Sequence, residues 1–144
     1  MNRVFFLVTV LASCLLAACG PSGDGPSVEA DGCGECVEEL EVVRTDLEKL
    51  PGVLEILTVT RYADSPTNGA GVRVELRSEG SGETGVADSV AKVLWQSRVT
   101  PLEEVFVTVA DSDGKLVPTR PYVFVPEVDG YASYVEKWGE RPVE

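Results

Sequence analysis

The chain holds 144 residues, with 24 acidic against 12 basic side chains and no histidine. Without histidine there is neither an imidazole base for a Ser-His-Asp or Cys-His nucleophile nor an imidazole metal ligand. A formal net charge of -12 argues against a nucleic-acid partner, because phosphate binding needs a basic footprint. Along the chain, the first element is Arg3 followed by an apolar run from Val4 to Leu16. It is short for a membrane span and has the layout of the apolar region of a secretory signal.

That run closes on Leu16-Ala17-Ala18-Cys19-Gly20, which resembles the lipobox of bacterial lipoprotein signal peptides. The resemblance implies that residues 1–18 are a signal peptide and that cleavage leaves Cys19 as a lipid-carrying N-terminus. The protein would then sit at the cell membrane on the extracytoplasmic side, with the membrane as its first partner through the lipid on Cys19. Two acyl chains anchor far more firmly than one, by about 0.8 kcal/mol per buried methylene. From Gly20 to Gly32 the sequence is Gly, Pro, Ser and acid-rich. Such a segment buries too little apolar surface to offset the entropy of ordering, so residues 19–32 read as a flexible tether. Between Glu29 and Glu48 eight acids face one base, Arg44. Anionic headgroups should repel that end, so the domain is expected to stand off the bilayer.

Residues 33–144 are long enough for one hydrophobic core. Cys36, Leu40, Val43, Leu47 and Leu50 recur at helical spacing, with charged residues on the other faces, and Pro51-Gly52 stops the helix. Val53–Tyr62 reads as a strand. Gly71–Ser78 reads as another, with Val72, Val74 and Leu76 inward and Arg73, Glu75 and Arg77 outward. A second helix is expected from about Val86 to Val99, with Pro101 beyond it. Leu102–Ala110 reads as a strand, Asp111–Gly114 as a hairpin turn, and Leu116–Val125 as an edge strand broken by Pro118 and Pro121. A shift of 50 residues lays Pro101 on Pro51 and Phe106–Val109 on Ile56–Val59.

The order helix-strand-strand twice over predicts tandem αββ units. They would form a ferredoxin-like two-layer α+β sandwich, a four-stranded antiparallel sheet with two helices on one face. Tyr131, Tyr134, Val135 and Trp138 lie at helical spacing and predict a short C-terminal helix docked by its aromatic side. On the outward sheet face the alternation places Ile56, Thr58, Thr60, Phe106 and Thr108 beside Arg73 and Arg77. A half-apolar open face is a docking place for the C-terminal helix, a second copy or another protein. Ile56, Arg73, Arg77 and Phe106 are the candidate interaction residues.

The remaining chemistry is Cys33-Gly34-Glu35-Cys36. Outside the cytoplasm the pair is expected as a structural disulfide closing a small loop, with an entropic gain of about 2 kcal/mol. A redox dithiol is disfavoured by Asp31, Glu35, Glu38 and Glu39, since negative neighbours raise a thiol pKa. A third reading rests on Cys33-Gly-Glu-Cys36, the amphipathic helix, Leu50-Pro-Gly-Val53 and the strand after it, which resemble the heavy-metal-associated domain. That resemblance covers about residues 32 to 60 and implies Cys33 and Cys36 as ligands of a soft metal, copper or zinc. The chain departs from the family in having Asp31 at the place of its methionine. Taken whole, the lipobox, the LPGV turn at 50–53 and the Trp95-Gln-Ser97 helix end resemble the small membrane lipoproteins of actinomycetes, a family without an assigned activity. No phosphate loop or carboxylate pair suggests an enzyme or a resident cofactor. The expectation is a non-enzymatic envelope lipoprotein whose domain binds a protein or itself.

Overall fold

In the computed structural model, residues 27–30, 36–63, 70–79, 83–110 and 113–142 are described, with the backbone alone at 27–30, 83 and 84. Among the described residues three helices and six strands follow one another: β1 (Ser27–Ala30), α1 (Cys36–Leu47), β2 (Val53–Tyr62), β3 (Gly71–Ser78), α2 (Glu83–Trp95), β4 (Glu104–Ala110), β5 (Leu116–Pro118), β6 (Tyr122–Val123) and α3 (Tyr131–Trp138). The sheet order is β1-β2-β3-β4-β5, with β6 also paired to β4.

The α+β class is as expected, but the all-antiparallel sheet is not. The β2–β3 and β4–β5 pairs are antiparallel, whereas β1–β2 and β3–β4 are parallel. The reason lies in the connections. A tight turn reverses the chain and yields an antiparallel neighbour, but a helix carries the chain back so that the next adjacent strand runs the same way. Both α1 and α2 join adjacent strands, so the fold is two β-α-β crossovers fused through the β2–β3 hairpin. Its first strand, Ser27–Ala30, comes from the segment read as tether, and the sheet therefore begins six residues before Cys33.

Leu40, Val43 and Leu47 of α1 and Ala87, Val90, Ala91 and Leu94 of α2 are buried against Val59, Val72, Val74, Leu76, Val105, Val107 and Val109. Burial of each such valine or leucine contributes about 1.5–3 kcal/mol, and the helices thus cover one face of the sheet. After α1 the chain turns through Gly52, whose φ of 84° is left-handed and suits glycine. The second helix starts earlier than Val86 and stops short of Val99. At its end Ser97 Oγ donates to the Leu94 carbonyl at 2.7 Å, and the Arg141 guanidinium donates to the carbonyls of Trp95, Val99 and Leu102 at 3.3, 2.9 and 3.2 Å. These donors satisfy carbonyls that a longer helix would have bonded internally.

The break at Pro118 and Pro121 lies where it was expected. Without N–H donors the two prolines interrupt the ladder, and the strand divides into β5 and β6 on the same edge of β4.

Candidate functional site

The face of the sheet turned away from the helices carries the candidate site. Three strands meet there in rows: Thr60, Arg73 and Phe106; Thr58, Glu75 and Thr108; Glu55, Arg77 and Ala110; Tyr62, Gly71 and Glu104. Arg73 and Arg77 are exposed, and Thr58, Thr60, Phe106 and Thr108 are half-buried. The Arg73 guanidinium lies 6.0 Å from the Phe106 ring centre, and Tyr62 stands 6.3 Å from the same ring. Arg77 Nη1 pairs with Glu55 Oε2 at 3.1 Å, with both side chains more than half exposed, so the pair contributes at most a few tenths of a kcal/mol after solvent screening, on the order of other surface pairs.

Arg73 and Phe106 are neighbours, and Arg77 stands two rows further along the same face. Ile56 is not on that face. It is 2% exposed and pairs with Leu76 in the core layer. A register shift between Ile56 and Thr58 inserts Leu57 as an extra residue. Side chains alternate strictly only along an unbroken ladder, and one inserted residue moves everything before it to the other face. The 50-residue echo that aligned Ile56 with Phe106 therefore joins residues on opposite faces.

Tyr62 and Glu104 belong to this site and were missed, although continuing the Thr58, Thr60 alternation by two residues reaches Tyr62. The Tyr62 phenol packs over Gly71, where any Cβ would collide with the phenol and with the Glu104 carbonyl. Burial and the neighbouring Glu104 charge push the Tyr62 pKa up to about 12, against a smaller downward pull from Arg73. Glu104 itself is 4% exposed at the start of β4.

α3 does not cover this face. Its aromatic stripe packs on the helix side instead, with Tyr134 and Trp138 stacked at 5.0 Å and Trp138 edge-on to Trp95 at 6.1 Å. Trp95 Nε1 donates to the Gly139 carbonyl at 2.9 Å. The Asp88 carboxylate of α2 accepts from Tyr122 Oη at 2.8 Å and Lys137 Nζ at 2.6 Å, and the Lys137 bond leads in holding its pKa below the usual value.

Cys36 is buried at the first turn of α1, its sulfur 3.9 Å from the Thr100 carbonyl oxygen. Cys19 and Cys33 lie outside the described residues. Among the described residues no group of three or more Cys, Asp or Glu is placed to hold a metal ion, and no helix is long and apolar enough to cross a membrane. No protein-family model, curated protein or solved structure matches the chain.

Proposed function

We propose that the chain is an envelope lipoprotein, anchored through Cys19, whose domain works by binding and not by catalysis, with the open sheet face as its docking surface. The observation that carries this reading is the Phe106–Tyr62 ring pair with Arg73 beside it, on the face opposite the one that the three helices among the described residues cover. Aromatic rings and arginine are the side chains that anchor protein interfaces most often. Between an unidentified protein and a second copy, the test decides. A photo-crosslinking residue at Thr108 in the full-length chain, expressed in its host, is expected to give one dominant adduct, while the same residue at Val42 on α1 gives none. An adduct at twice the chain mass means self-association; another discrete mass means a distinct partner. No adduct at Thr108, or equal adducts at both positions, would sink the reading.

The ferredoxin-like comparison is retained only at the level of a sheet with helices on one face. For Cys33 and Cys36 we propose a structural disulfide that ties the start of α1 to the chain before it. Its support is the burial of Cys36 against the Thr100 loop, away from any carrier's exposed ligand position. Mass spectrometry of the exported domain, purified without reductant or chelator, is expected to find it two hydrogens light, by about 2 Da. A bound copper or zinc mass that vanishes when both cysteines become serine would replace the staple with the metal reading.

A further inference from the structure

β1 changes what an anchor on Cys19 does to the domain. Eight residue steps separate Cys19 from Ser27, a span of at most about 28 Å when fully extended, against the fourteen steps available were the fold to begin at Cys33. The domain therefore stays near the bilayer, and one of its ends faces it.

The two ends of the sheet differ. β1 runs parallel to β2, with Ser27 beside Thr58 and Ala30 beside Arg61, so the chain enters from the side of Val53. At that end lie Val53, Ser78, Ala110 and Leu116, by the pairing of β2 with β3, β3 with β4 and β4 with β5. Val53 is five residues from the Thr58 level, about 16 Å along the strand, which the tether reaches. The opposite end holds the first turn of α1, with Cys36 and Arg61 against the loop at Thr100 and Pro101. Glu38, exposed, and Glu39, half-buried, stand in that turn beside the exposed Val37.

The Val53 end carries exposed acids as well, Glu48, Glu55 and Glu79, so what distinguishes it is the entry of the chain from the tether. Leu54, the extra residue at the first register shift of β2, is 61% exposed, and Leu116 at the start of β5 is 41% exposed. Three strand spacings separate their strands, roughly 14 Å. Lys49, exposed and ion-paired with Asp46 at 2.8 Å, lies near them, and leucines at such a boundary enter the acyl region while basic side chains stay at headgroup level. Two separated leucines have no use for each other in water; both are accommodated at once by a broad apolar boundary.

We infer that the end of the sheet carrying Leu54 and Leu116 rests on the lipid interface when the protein is anchored through Cys19. This rests on the lipoprotein reading above, which the test separates from it. The full-length lipidated protein is reconstituted in vesicles of phosphatidylethanolamine and phosphatidylglycerol with brominated acyl chains, which quench tryptophan by contact. Three single variants report position: Leu54→Trp, Leu116→Trp and, in the loop before α3, Val128→Trp. All three sites are exposed, so folding is preserved, and the wild-type chain supplies the background of buried Trp95 and Trp138.

The emission added by the first two variants is expected to fall roughly twofold or more on bromination, since interfacial side chains sit about 5–10 Å into the boundary; that of Val128→Trp stays unchanged. Flotation of the wild-type chain with the vesicles, lost in Cys19→Ser, checks the anchor. If the chain floats and all three tryptophans respond alike, or none responds, the orientation is wrong and the anchor stands. If the chain does not float, the anchor and the orientation fall together.

Discussion

At the scale of single residues, the open face depends on a missing side chain. Gly71 lies under the Tyr62 ring and beside the Glu104 carbonyl, with no room for a Cβ. Gly71→Ala is expected to destabilise the fold by about 1–3 kcal/mol through overpacking, read as a lower denaturant midpoint with an unchanged slope. The phenol above it provides a pH signature. Its folded pKa is raised to about 12, first by burial and then by Glu104, whereas an unfolded tyrosine titrates near 10. A raised folded pKa contributes stability that is complete below the unfolded value and lost as pH rises through the folded one. Stability should therefore decline between about pH 10 and pH 12, and Tyr62→Phe should flatten that decline in alkaline chemical-denaturation curves. An identical slope in the variant would remove Tyr62 from the account.

At the scale of elements, α3 acts as a clamp. Trp138 is 9% exposed, stacked on Tyr134 and edge-on to Trp95, and the residues just past it close the end of α2 through Gly139 and Arg141. Trp138→Ala is expected to cost about 3–5 kcal/mol, as large aromatic truncations in cores do, with loss of near-ultraviolet circular dichroism from the ring cluster. A cost below about 1 kcal/mol, typical of surface changes, would mean that α3 is an appendage.

The elements also show why some of the fold was legible and some was not. α1, β3 and α3 announce themselves because their apolar residues recur at one unbroken period. β2 does not, since Leu54, Ile56, Leu57 and Val59 form a mixed apolar run in which either face can be core. The bulge at Leu57 is settled by pairing with β3, not by local preference. β1 has no signal of its own: Ser27-Val-Glu-Ala30 lies in a Gly and Pro-rich stretch and becomes a strand only through the edge of β2. Deleting Leu57 removes the extra residue and restores plain alternation, with Ile56 still opposite Leu76 in the core layer and Thr58 opposite Glu75 on the open face. The deleted chain is expected to keep a cooperative transition near the wild-type midpoint; collapse of the transition would show that the bulge itself is needed for the fold.

At the scale of the whole molecule, charge sets the behaviour. With -12 at neutral pH and an isoelectric point near 4.4, copies repel one another, and any contact through the open face works against that repulsion. Solubility should therefore pass through a minimum close to pH 4.4, measured by turbidity across a pH series, and added salt at neutral pH should favour association over a dilute buffer. The open face was legible in outline because Arg73, Phe106 and Arg77 follow from alternation alone. Its depth was not: Tyr62, Gly71 and Glu104 form one row only after β2, β3 and β4 are set side by side in mixed directions.

The parallel pairing of β1 with β2 has a mechanical side. Tension entering the chain ahead of Ser27, with the domain held at its Thr100 end, runs along the strand axis and not across it. The hydrogen bonds joining Ser27–Ala30 to Thr58–Arg61 then share the load in shear, all together, where a strand peeled from one end would surrender them one at a time. An edge strand of four residues is a weak element in a folding sense, yet pulled lengthwise it is a lap joint.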